Sequence, residues 1–180
     1  MALITVHTSP LARLGGKDAG GLNVHVRDLA LQLGQCGVAV DVFTRRIDPF
    51  TPEVCELTGN VNVVSIAAGA AEPLPKEELF PLLPDFASEV ALYSLRHGIR
   101  YDIIHSHYWL SGWVGHLLAR YWSAPTVHTF HTLARLKNEV SAPDAYETRV
   151  RLRTEQRLLQ VLDNIIAPNP DERAEMVWRM

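Results

Sequence analysis

Cysteine is almost missing from this chain: Cys36 and Cys55 are its only two in 180 residues. Neither falls in a metal-ligand or redox spacing, which argues against a thiolate centre and for a reducing compartment. Long apolar runs are missing as well, and nothing approaches the roughly 18 residues of a membrane span. The N-terminus carries no basic region followed by an apolar segment of signal-peptide type, and it reads as a strand. Positive charge is not in excess either. The formal net charge is −3 and the isoelectric point near 6.2, whereas a nucleic-acid binder usually shows a basic stripe. A cytoplasmic domain without a nucleic-acid partner is expected. Repeats and low-complexity segments are absent, as are the GxSxG, HExxH and Walker patterns.

What is present is the composition of an ordinary globule, 47% hydrophobic and 21% charged, long enough for one domain with a sizeable core. Strand-like and helix-like runs alternate. Ala2 to Val6 is a strand, and Leu22, Val26, Leu29, Ala30 and Leu33 then repeat at helical spacing until Gly34 and Gly37. Val38–Phe43 and Val61–Ile66 are strands, separated by a Pro- and Glu-containing excursion from Ile47 to Gly59 that reads as a surface loop. A proline-rich loop from Glu72 to Pro84 leads into a helix over Asp85–His97. Strands follow at Tyr101–His105, Pro125–His128 and Asn164–Ala167, with helices at Ser111–Trp122, Glu147–Leu162 and from Asp171 onward. This alternation implies an α/β fold with a doubly wound, mostly parallel sheet. Ligands bind outside the carboxyl ends of the strands in such sheets. The loop after strand one, His105–Trp109 and Thr129–Thr132 should therefore line one crevice.

Three features in those places could carry chemistry. Glycine pairs at 15–16 and 20–21 stand where the first helix begins, and free amides at a helix start suit an anion. The loop lacks the GxGxxG spacing, and strand two ends in Phe43-Thr-Arg-Arg46 with no acidic residue to hold a ribose, so a nicotinamide-dependent oxidoreductase is disfavoured. Five of the eight histidines, His7, His105, His107, His128 and His131, lie at or just past expected strand ends. For His105 and His128 the simpler reading is a hydrogen bond capping neighbouring backbone; for His131 a functional role is favoured. A metal on His105-x-His107 would need an orienting carboxylate, and only Asp102 is near in sequence, so no metal is expected. Arg149, Arg153 and Arg157 form a solvated helix stripe with Gln156 and Gln160, while Arg151 falls in the middle of the apolar side. It must pair with Glu155 or bind a ligand, and arginine suits phosphate. Lys76 taken alone is an exposed helix start.

His7-Thr-Ser-Pro10, Gly20-Gly-Leu-Asn-Val-His-Val26, His105-Ser-His-Tyr-Trp-Leu-Ser-Gly112 and His128-Thr-Phe-His-Thr-Leu-Ala134 resemble the N-terminal half of the GT-B retaining glycosyltransferases of glycosyltransferase family 4. Within it, the look is nearest to the enzymes that glycosylate inositol phosphate, and more distant from those that form sucrose phosphate. The match extends through Leu74-Pro-Lys-Glu-Glu-Leu79. The resemblance implies a Rossmann-like domain forming one half of a GT-B fold, with a second domain, carrying most nucleotide-sugar contacts, lying beyond residue 180. It implies that Gly20 and Gly21 approach the diphosphate of a nucleotide-sugar donor, a UDP-sugar by resemblance, with no further cofactor. Asn23, Lys76, Tyr108, Thr132 and Arg151 match the set that binds a phosphorylated acceptor, and His131 matches the histidine at the reaction centre. Family chemistry replaces the leaving diphosphate at the anomeric carbon with retained configuration. The isolated 180 residues are expected to be inactive. The competing reading is a non-enzymatic module that holds a sugar phosphate.

Overall fold

The computed structural model describes residues 1–12, 20–135 and 145–178. The chain runs β1 (Ala2–Ile4), α1 (Gly21–Gln35), β2 (Val40–Arg45), β3 (Val54–Thr58), β4 (Val61–Ile66) and a single turn α2 (Lys76–Leu79). It continues through α3 (Leu83–His97), β5 (Ile104–His107), α4 (Trp109–Trp122), β6 (Thr126–Thr129), α5 (Ala145–Val161), β7 (Asn164–Ile166) and α6 (Pro170–Trp178). One seven-stranded sheet has the order β3-β4-β2-β1-β5-β6-β7. Every pairing is parallel except β3 with β4. This is the Rossmann-like, doubly wound α/β sheet expected from the alternation of elements.

Side-chain alternation explains why the sheet is covered on both faces. Leu3, Val40, Val42, Val61 and Val63 pack with Val26 and Ala30 of α1 on one face. Ala2, Ile4, Phe43 and Val64 join residues of α3 and α4, including Phe86, Val90, Leu110, Val114 and Leu118, on the other. Successive strand residues point to opposite faces, so strands buried on both read as continuous apolar runs. The chain therefore winds to one side after β1 and to the other after β5. The loops leaving the carboxyl ends of these two neighbours diverge, and a crevice opens between them.

Three expectations are corrected. The excursion over 47–59 contains β3, which pairs antiparallel with β4 and alternates exposed and half-buried residues. An edge strand tolerates polar residues on its outer side, so its Glu and Thr content disguised it. The strand expected at Tyr101–His105 begins only at Ile104. Tyr101 is instead a packing residue: its ring lies 4.8 Å from that of Trp122, and its hydroxyl donates to Asp41 Oδ2 at 2.6 Å. His105 and His107 thus sit inside β5 instead of beyond it. The helix expected from Asp85 starts two residues earlier, with Pro84 in its first turn. Among the described residues, no helix is long and apolar enough to cross a membrane.

Gly112 in α4 lets this helix approach β6 and α5. A Cβ there would lie 2.6 Å from Leu158 Cδ1 and 2.8 Å from His128 Cε1. Gly112→Val is therefore expected to destabilise the domain by about 1–3 kcal/mol through overpacking, read as a lowered midpoint in thermal or urea denaturation.

Candidate functional site

A cavity of about 610 Å3 opens at the carboxyl edge of the sheet, lined by His7, Thr8, Gly20, Gly21, Leu22, Asn23, Lys76, Tyr108, His131, Thr132 and Arg151. All eight residues singled out from the sequence, Gly20, Gly21, Asn23, Lys76, Tyr108, His131, Thr132 and Arg151, border this one space. The three segments expected to share a crevice each contribute to it. Gly15 and Gly16 lie outside the described residues.

Two helices begin at the cavity. α1 follows Gly20 and α4 follows Tyr108; neither has a side-chain cap or an acidic residue in its first turn. Uncapped N-termini of this kind leave amides and a partial positive charge directed at the approach. A Cβ on Gly20 or Gly21 would meet nothing within 4 Å, and Gly20 has extended backbone (φ −125°). The fold itself thus makes no demand for glycine there; any such demand comes from what approaches. Asn23 ties the preceding loop to α1, accepting from the Thr8 hydroxyl at 2.7 Å and donating to the Ser9 carbonyl at 3.1 Å.

Arg151 and Glu155 form a buried pair one helical turn apart on α5, with Nε donating to Oε1 at 2.6 Å. Glu155 also accepts from the Ala134 amide at 2.9 Å. Arg151 Nη2 donates to the Thr132 carbonyl at 2.6 Å and to its hydroxyl at 3.1 Å. Burial pushes the Glu155 carboxyl above its ordinary pKa, and the neighbouring Arg151 charge opposes that rise. The two alternatives for Arg151 are thus compatible: it is ion-paired, and it faces the cavity. Its guanidinium carbon lies 4.9 Å from the Tyr108 ring centroid, and Lys76 Nζ lies 5.9 Å from the same centroid. The two cations are therefore gathered around one aromatic ring. Arg153 and the other members of its stripe are exposed, as expected.

Lys76 is delivered by an irregular segment that Arg45 anchors. This buried guanidinium, at the end of β2, donates to the carbonyls of Ala68 (3.4 Å), Ala70 (2.7 Å) and Glu72 (2.5 Å). Its role was not foreseen; its place at a strand end beside Arg46 was the available signal.

The histidines separate into two groups. His105 Nε2 and Thr129 Oγ1 are 3.0 Å apart, and His128 Nδ1 and Ser106 Oγ are 2.8 Å apart. These bonds cross between β5 and β6 through side chains, and His128 also meets the Ser106 backbone, the kind of bond expected for it. The second group centres on His131, which lines the cavity. His107 Nδ1 lies 3.0 Å from His131 Nε2, and the His131 ring centroid is 5.1 Å from that of His25 on α1. His25 was missed, although it stands one turn from Leu22 and Leu29 on the helix stripe. Tyr108 (φ 74°) and His131 (φ 65°) both have left-handed backbone. Such a conformation costs a non-glycine residue of order 1–3 kcal/mol and concentrates at functional sites.

Residues 19–180 match the model of Glycosyltransferase Family 4. The chain belongs to this family. A D-inositol 3-phosphate glycosyltransferase of Corynebacterium diphtheriae is 44% identical over 178 residues, 98% of this chain and 42% of that relative. Its counterpart from Kineococcus radiotolerans is 45% identical over 179 residues, covering 98% and 41%. Among solved structures, sucrose-phosphate synthase from Thermosynechococcus elongatus superposes with a TM-score of 0.90 at 38% identity, covering 97% of this chain and 43% of its own. This family 4 chain thus spans about two fifths of the length of the relatives it matches.

Burial, joined by neighbouring histidines, pushes His105 and His131 down to about 4 and His128 to about 3; His107 is lowered by the same two causes. These rings are neutral at pH 7 in the fold, whereas an unfolded chain protonates histidine near pH 6.5. Between about pH 6.5 and 4 the unfolded state binds more protons, so stability is complete above that window and falls as pH drops through it. Unfolding free energies measured by urea denaturation from pH 7 to pH 5 are expected to decline by roughly 1 kcal/mol or more per pH unit, and substituting His128 by a neutral residue should flatten that slope.

Proposed function

We propose that this chain is the acceptor-binding half of a retaining, nucleotide-sugar-dependent glycosyltransferase whose acceptor is a small phosphorylated polyol such as inositol phosphate. The observation that carries this reading is the convergence of Arg151 and Lys76 on Tyr108 at the uncapped start of α4. Two cations, a helix N-terminus and the Thr132 hydroxyl form an environment suited to a phosphate dianion. Asn23 and Tyr108 supply polar and aromatic wall for the ring of the acceptor. Gly20 and Gly21, at the start of α1, leave room for the donor diphosphate. His131, whose left-handed backbone holds it at the cavity, would contact the transferred sugar.

The protein's contribution to such a reaction is positioning and charge stabilisation. The acceptor hydroxyl replaces the diphosphate at the anomeric carbon on the same face, and the departing diphosphate takes the hydroxyl proton. The donor's nucleotide would be held by a second domain, so the 180 residues alone form one wall of the cleft. A second acceptor, fructose 6-phosphate, is favoured by the 0.90 TM-score to a sucrose-phosphate synthase. It presents the same phosphate to the same cations and a different ring to Asn23.

Titration calorimetry with myo-inositol phosphate and with fructose 6-phosphate tests the site and ranks the acceptors. Arg151→Ala and Lys76→Ala should each weaken binding roughly 10-fold or more, the usual worth of a charge-assisted bond. Arg153→Ala should leave it unchanged, and equal effects from all three would overturn the assignment. The purified 180-residue chain is expected to turn over no UDP-sugar in a coupled UDP-release assay.

A further inference from the structure

Three histidines, among them the cavity-lining His131, have a property that the acceptor reading does not use. His25, His107 and His131 each offer one ring nitrogen, and these nitrogens lie within 4.8 Å of one another. A tetrahedral zinc ion with Zn–N bonds of 2.0–2.1 Å sets its ligand nitrogens about 3.3 Å apart. His107 Nδ1 and His131 Nε2, at 3.0 Å, are already close to that spacing. Both are fixed by the backbone, one in β5 and one in the left-handed turn after β6. His25 is exposed on α1, with its ring centroid 5.8 Å from that of His107 and 5.1 Å from that of His131.

We propose that His25, His107 and His131 bind a borderline-soft divalent cation, zinc in the first instance, with its fourth position left to water or another small ligand. Three imidazoles and no carboxylate suit zinc, copper or nickel and do not suit magnesium or calcium. His107 is fully buried, and its Nε2 has no hydrogen-bond partner. When Nδ1 ligates, Nε2 carries the proton, and no carbonyl or carboxylate receives it. A permanent structural zinc normally has such an acceptor behind each histidine. The site is therefore one for reversible occupancy, and a cation in it takes up His131.

The test is titration of the 180-residue chain with zinc by calorimetry, and with cobalt(II) as a visible-absorbing stand-in. One equivalent should bind, with cobalt showing the intense bands of a four-coordinate ion. His25→Gln alters an exposed residue and should weaken binding at least about 10-fold, since even the outer partners of a metal-bound histidine are worth that much. His97→Gln, on α3, should change nothing. Binding unaltered in His25→Gln, or lost in Cys36→Ser and kept in His25→Gln, would overturn the proposal, as would no binding of either ion. No acceptor or donor enters the measurement, so its result is independent of the transferase reading.

Discussion

The hydrogen-bonded pair of Arg151 and Glu155 is the interaction on which the site's geometry rests. Burying either ion alone would cost several kcal/mol, and the pair is tolerable because nearly every polar atom finds a partner. Those partners are not incidental. Glu155 accepts from the Ala134 amide and Arg151 donates to the Thr132 carbonyl. One ion pair on α5 therefore fastens the chain just after β6, where His131 takes its left-handed conformation. Removing either charge leaves the other buried and releases the turn that presents His131 and Thr132.

The sheet supplies the complementary constraint. β1 and β5 are neighbours whose following helices cover opposite faces, so both α1 and α4 start at one crevice. Because Gly20 and Tyr108 lack capping side chains, the crevice inherits two unneutralised helix ends. Arg151 and Lys76 add formal charge to that field.

Much of this was legible in the sequence because the determining patterns are local. The Leu22–Leu33 stripe, the Val61–Ile66 run and the placing of Arg151 on an apolar helix side depend only on periodicity. β3 was not legible, since an edge strand with one wet face has little apolar signature. The late start of β5 was not legible either, because Tyr101 is withdrawn by Asp41 and Trp122, which are distant in sequence. His25 escaped notice for a related reason: its neighbours His107 and His131 arrive from β5 and beyond β6, and no spacing along the chain encodes that meeting. The cross-strand bonds of His105 and His128 likewise depend on register between β5 and β6.

Arg45 holds the segment before Lys76 through carbonyl oxygens, a group that every amino acid carries. Its grip is therefore indifferent to the side chains of Ala68, Ala70 and Glu72. Gly69 is committed by its φ of 70° and a would-be Cβ 2.7 Å from Leu82 Cδ1, and Ala68 by its burial in the core. The exposed positions of the segment, Ala70 and Glu72 among them, can accept substitution while it keeps its course. Lys76 can thus be exchanged or re-aimed along an evolutionary or engineered path without disturbing the sheet, because the anchor reads the main chain and leaves the lettering free.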